Sequence, residues 1–142
     1  MPMALHVFLH DAALPTCEQW QSGIAEEGFR LVLDKTLDVR QNTGFSPAVY
    51  GGRKSGFVFD LLPVTGVTSV GKRDWARIDG HDVCANFQCG GNVRESISIY
   101  IASAVLAKLA NGVLYDPKAD HFLTGSEAVA VVRRLIEATE LD

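Results

Sequence analysis

The stretch Val93 to Asp116, VRESISIYIASAVLAKLANGVLYD, decides how the rest of the chain must pack. Between Arg94 and Ala110 the apolar side chains Ile97, Ile99, Ile101, Val105, Leu106 and Leu109 are separated mostly by small Ala and Ser. A helix that is apolar on nearly every side is covered on more than one side. Asn111-Gly112 stops it, because these residues reach the left-handed conformation that closes a helix. Val113-Leu114-Tyr115 then reads as a short buried strand, ended by Asp116-Pro117. The expected centre is therefore a buried helix feeding a strand, and no catalytic group stands out in it.

On the N-terminal side, Ala4 to His10 alternates as a strand, with Leu5, Val7 and Leu9 on one face and His6, Phe8 and His10 on the other. Thr16 with Gln19 three residues on forms a capping-box signal for a helix carrying Trp20 and Ile24. Gly28 closes it, and Phe29 to Asp34 is a second strand. A single-helix crossover of this kind favours a parallel pair. A polar segment, Lys35 to Gly44, then leads to Phe45–Tyr50 and Phe57–Leu62, joined through GGRKSG as a hairpin. Trp75–Ile78 and Asp82–Gln88 suggest another hairpin about Asp79-Gly80, whereas Pro63 to Gly71 reads as a loop or an edge strand. After the Val113 strand a loop, PKADHF, leads to a last amphipathic helix with Ser126 as its N-cap. The expected fold is one α+β domain over residues 1–142, a mixed sheet with helices packed on one face.

Bulk properties narrow the function. The chain has 142 residues, 47% of them hydrophobic and 21% charged, so it is long enough to bury a core and too apolar to be disordered. Its formal charge of −4 and pI near 5.5 argue against a nucleic-acid partner, which would select a basic face. The N-terminus lacks the basic region of a signal peptide, and the buried helix is too short and too charged at its ends to span a membrane. Three cysteines, an odd number, fit reduced thiols, and a cytoplasmic location is expected.

Chemical motifs are few. GGRKSG (Gly51 to Gly56) has the wrong order for a phosphate loop and is followed by a strand. His81, Cys84 and Cys89 lack the close cysteine pair of a structural zinc site, and along a strand Cys84 and Cys89 face opposite sides. No cofactor or metal is expected. His10-Asp11 at a strand end leaves open a small enzyme with a site near His10, Asp34 and Asp116. Scattered carboxylates are mostly surface solvation. Part of the set, Asp38, Asp60, Asp74, Asp79 and Asp82, could meet a basic cleft on a partner protein, with Trp75 either anchoring that contact or lying on the sheet core.

Three segments together carry a resemblance: GFRLVLD (Gly28 to Asp34), SGFVFDLLP (Ser55 to Pro63) after the Gly44-Phe45-Ser46-Pro47 stretch, and the block from Ser98 to Val129. The chain resembles small bacterial cytoplasmic proteins that look like immunity proteins of polymorphic toxins, including toxins delivered by type VI secretion or on Rhs-type carriers. The resembling residues are structural, so no functional residue is carried over. The resemblance implies a protein that performs no chemistry and blocks a cognate toxin by stoichiometric binding, as a monomer or a homodimer. A small enzyme and a homodimeric interaction module joined through a strand edge are the rival expectations.

Overall fold

The computed structural model describes residues 3–64 and 81–139. In chain order they form β1 (Met3–Leu9), a short 3-10 turn (Asp11–Ala13), α1 (Cys17–Glu26), β2 (Leu31–Leu33), β3 (Phe45–Tyr50) and β4 (Arg53–Pro63). Then come β5 (Val83–Cys89), α2 (Val93–Leu109), β6 (Val113–Asp116), β7 (His121–Thr124) and α3 (Gly125–Thr139). The strands make a seven-stranded sheet in the order β2-β3-β4-β5-β1-β6-β7. Both expected classes of element are present, and the α+β architecture with helices on one face holds.

The sheet is antiparallel at every join, not mixed. The expected parallel β1–β2 pair does not form, because β5 and β6 take the two sides of β1. The chain instead runs through α1 to the far edge of the sheet, where β2 pairs, among the described residues, with β3 alone. A crossover rule applies only to strands that end up as neighbours, and these two do not.

The alternation read in β1 decides which face is covered. Leu5, Val7 and Leu9 join Phe57 and Phe59 of β4, Ala85 and Phe87 of β5, and Leu114 of β6 beneath the helices. From α2, Ile97, Ile99, Ile101, Val105 and Leu106 enter the same core, with Val129 and Val132 of α3 and Trp20 and Ile24 of α1. Trp20 is fully buried, tilted against Phe59 and edge-on to Phe87, and its indole N–H donates to the Ala102 carbonyl at 3.0 Å. That bond lets a large ring be buried without an orphaned donor. Ser98 and Ser103 of α2 are buried too, each satisfied by a carbonyl one turn back. A smaller cluster of Phe8, Cys84, Tyr115 and Phe122 lies on the opposite face. Cys84 and Cys89 therefore do point to opposite sides of the sheet, as alternation along β5 requires.

The local signals explain the ends of most elements. The Thr16 hydroxyl accepts from Gln19 N–H and the Gln19 side chain accepts from Thr16 N–H, a complete capping box. Asn111 sits at φ 53°, and Gly112 N–H donates to Ala107, closing α2 at the expected place. The β3–β4 turn is only Gly51-Gly52, both at positive φ, which a tight hairpin demands. Arg53 to Gly56 already belong to β4, so the hairpin tip is shorter than GGRKSG suggested. Two expectations fail near the C-terminus. His121–Thr124 is a strand rather than loop, pairing with β6. The cap of α3 is Thr124 and not Ser126: Thr124 N–H donates to Glu127, and Glu127 N–H donates to the Thr124 hydroxyl.

At the free edge of the sheet, β2 is met by a side chain. Gln21 of α1 donates to the Leu31 carbonyl at 3.0 Å and accepts from the Leu33 N–H at 2.6 Å. No helix among the described residues is long and apolar enough to cross a membrane.

Candidate functional site

The end of the sheet where β1 and β4 finish and β5 begins gathers the described members of the acidic set. Asp82 is placed by two backbone bonds: its N–H donates to Leu9 at the end of β1, and its carbonyl accepts from Val64 just past β4. Its carboxylate accepts from the Asp11 N–H at 2.6 Å and so anchors the 3-10 turn. Asp11 pairs in turn with Arg40, whose guanidinium lies 2.6 Å from one carboxylate oxygen and also donates to the Asp11 carbonyl. Asp38 holds the loop that carries Arg40, accepting from the Arg40 and Gln41 N–H groups. Asn42 of that loop donates to the Phe59 carbonyl at 2.8 Å, and the Gly44 N–H donates to Asp60 at 3.1 Å.

A continuous chain of hydrogen bonds thus runs Asp82–Asp11–Arg40–Asp38 and on, through Asn42 and Gly44, to Asp60. Four carboxylates and one guanidinium leave this network a formal charge of −4 + 1 = −3. Asp38, Asp60 and Asp82 each make their hydrogen bonds among the described residues through Oδ1. The carboxylates are thereby fixed in direction while Asp38 and Asp82 stay exposed to solvent. Asp74, Trp75 and Asp79 lie outside the described residues.

Two histidines border the same end. The rings of His10 and His81 meet edge-on with centroids 4.9 Å apart. Burial lowers the His81 pKa, the neighbouring His10 lowers it further, and Asp82 opposes both. Its Nδ1 is buried, with no hydrogen-bond partner among the described residues. On the helix-free face, His6 bonds to Asn86 and stacks near Tyr115, and burial lowers its pKa as well. Tyr115 in turn donates to Asp120 at 2.9 Å.

The catalytic trio considered from sequence is not assembled. His10 follows the end of β1, whereas Asp116 ends the antiparallel β6 beyond the residue that faces His6, toward the other end of the sheet. Asp34 follows β2, four strands from β1 and so ~19 Å away across the sheet. Asp116 instead caps its own turn and lies 3.4 Å from the Tyr100 hydroxyl, whose pKa burial and that carboxylate push up to about 12. The thiols show no activation either. Burial pushes Cys84 up to about 12 and raises Cys17 and Cys89. No group of three His, Cys, Asp or Glu among the described residues is arranged to hold a metal ion.

Asp11 was noted in the sequence only beside His10, and its partnership with Arg40 in the acidic end was not foreseen. Their pairing spans 29 residues, and no local pattern announces it. The chain matches no protein-family model, no curated protein and no solved structure.

Proposed function

We propose that the chain is an immunity protein that binds a cognate toxin stoichiometrically in the cytoplasm and blocks it, with the acidic end of the sheet as the contact. The observation that supports this reading is the network from Asp82 to Asp60. It presents carboxylates from four separate segments on a framework that backbone hydrogen bonds hold still. Pre-ordered groups lose little freedom on binding, so more of the interaction energy appears as affinity. A cleft that handles a phosphate-rich substrate is basic, and fixed carboxylates both steer the encounter and pair with its cations.

The test begins with the tagged protein drawn from its native strain and the co-purifying proteins identified by mass spectrometry. One near-stoichiometric partner with a toxic domain is the expected result, and the protein alone would overturn the reading. With that partner in hand, Asp38→Asn and Asp82→Asn separate charge from structure, because Asn keeps the Oδ1 acceptor and removes the charge. The double variant should melt within ~0.5 kcal/mol of the parent. It should bind the partner at least tenfold more weakly by calorimetry, a loss of ~1.4 kcal/mol or more. Unchanged affinity would move the interface elsewhere.

A further inference from the structure

The face of the sheet turned away from the helices is of two kinds. Across β5, β1, β6 and β7 its apolar side chains, Cys84, Phe8, Tyr115 and Phe122, are buried. Across β2, β3 and β4 they are not. Alternation puts Val32 of β2, Phe45, Pro47 and Val49 of β3, and Lys54 and Gly56 of β4 on that face, while Leu33, Ala48 and Phe57 turn into the core. Val32, Phe45 and Val49 are 49%, 60% and 39% exposed, and Pro47 is exposed between them. Single exposed apolar residues are ordinary, but a contiguous set on one face marks a contact.

A ridge and a hollow lie side by side there. The ridge is the Phe45 ring, which occupies the space that a side chain on Gly56 would need. Its backbone is held from one side: Gly44 N–H donates to Asp60, and the Gly44 carbonyl accepts from Phe59 N–H. Beside the ring opens a hollow of about 620 Å³, lined by Val32, Pro47 and Val49 and by Phe45 itself. Lys54 lines it too, with the carboxylates of Asp34, just past β2, and Glu95, in the first turn of α2. Lys54 is in register with Val49, and Val49 with Val32, so the cation closes the row of exposed valines.

We infer that this face docks a second copy of the same chain in a two-fold dimer. A two-fold contact requires one patch to carry both halves of every interaction. This patch does so in shape, with a ring next to a hollow, and in charge, with a cation and two carboxylates around that hollow. Rotation of one copy about an axis beside Phe45 sets each ring into the other's hollow and brings each Lys54 toward the other's Asp34 and Glu95. A partner with a basic cleft would instead meet Lys54 as a like charge, so the contact stands apart from the acidic end. Three strands ~4.8 Å apart, the middle one six residues long, give a footprint of ~300 Å². A standard interface covers ~800 Å² on each partner, so the dimer forms with rising concentration rather than being permanent.

The experiment is sedimentation equilibrium of the whole protein from ~10 μM to ~1 mM, the range that suits a small interface. The weight-average mass should climb from the 15.4 kDa of one chain and level off at two. Phe45→Ser and Lys54→Glu, both at exposed positions, should keep the circular dichroism of the parent and weaken association at least tenfold. Where Phe45→Ser lowers the melting temperature, Lys54→Glu, which removes no packed side chain, decides alone. Arg134→Glu makes a matching charge change on the exposed side of α3 and should weaken association less than threefold. A mass of one chain over the whole range would overturn the proposal. So would association that passes two copies without levelling, or that Lys54→Glu weakens no more than Arg134→Glu does.

Discussion

Glu27, just past the end of α1, receives a hydrogen bond from Lys108 of α2 at 2.5 Å and another from Arg133 of α3 at 2.8 Å. One carboxylate therefore joins all three helices on the outside of the fold. The Lys108 hydrogen bond is the main reason its pKa lies below the ordinary value, with Arg133 adding to it and burial opposing. A lowered carboxyl pKa stabilises the fold above its unfolded value, and that contribution disappears as pH falls through the folded value. Both cations are largely exposed, so solvent screening keeps the effect small. Glu27→Gln should cost ~0.5–1 kcal/mol at pH 7 by urea denaturation, with the difference closing below the folded pKa of Glu27. His6 and His81 act in a higher window. Burial disfavours their charged forms, so folding favours the neutral ring, and stability falls as pH drops below the ordinary 6.5 toward their lower folded values. A melting curve series from pH 7.5 to 5 should show this loss, and His81→Asn should reduce it. An unchanged pH dependence in that variant would assign the loss to His6 or to carboxylates.

At the scale of elements, α2 was legible because burial is written into composition: a helix without a polar side has to be surrounded. Its partner contact was not. Gly125, the first residue of α3, sits so close to α2 that a methyl group there would run into the backbone of Ala107 and Lys108. Gly125→Ala should force the two helices apart and destabilise the protein by ~1–3 kcal/mol, measured as a shift of the urea midpoint at constant slope. A neutral result would mean that the start of α3 rearranges at little cost. The same junction shows why the last helix was misread. Ser126 and Thr124 are both acceptable caps, and only Glu127 three residues after Thr124 distinguishes them, through its bond back to the Thr124 N–H. β7 was missed because His121–Thr124 is four residues long and carries no alternation strong enough to separate it from loop. The parallel pairing failed for a different reason. Local pattern gives a strand its faces, and neighbours are chosen by which strands can cover the open sides of β1.

Across the whole molecule, distance separates the acidic end from the β3–β4 turn. β4 begins at Arg53 and reaches Asp60 seven residues later, ~23 Å along the sheet. Screening at physiological salt acts over ~8 Å, so the cations of that turn do not neutralise the field of the acidic end. Association through the acidic end should slow as salt rises, mainly in the on-rate, and a salt-independent rate would count against steering. The individual carboxylates of that end could be picked out in the sequence as acids near strand ends. Their assembly into one network could not, because Asp11, Arg40 and Asp82 come from three distant segments. The surroundings of the β3–β4 turn were hidden further: GGRKSG drew notice as a turn, and only the fold brings Arg30 and Arg94 beside it. The bonds that Gln21 makes to β2 bear on the state of the molecule in solution. A bare outer strand is a template on which a second chain can lay its own backbone, and repetition of that event builds fibres. Here the outward carbonyl of Leu31 and amide of Leu33 are already answered from within, so on the β2 side the sheet has fewer backbone groups left to offer another chain. Gln21→Ala would reopen that border, and sedimentation should then report association that rises more steeply with concentration than in the parent; an unchanged profile would mean that Gln21 does not guard the edge.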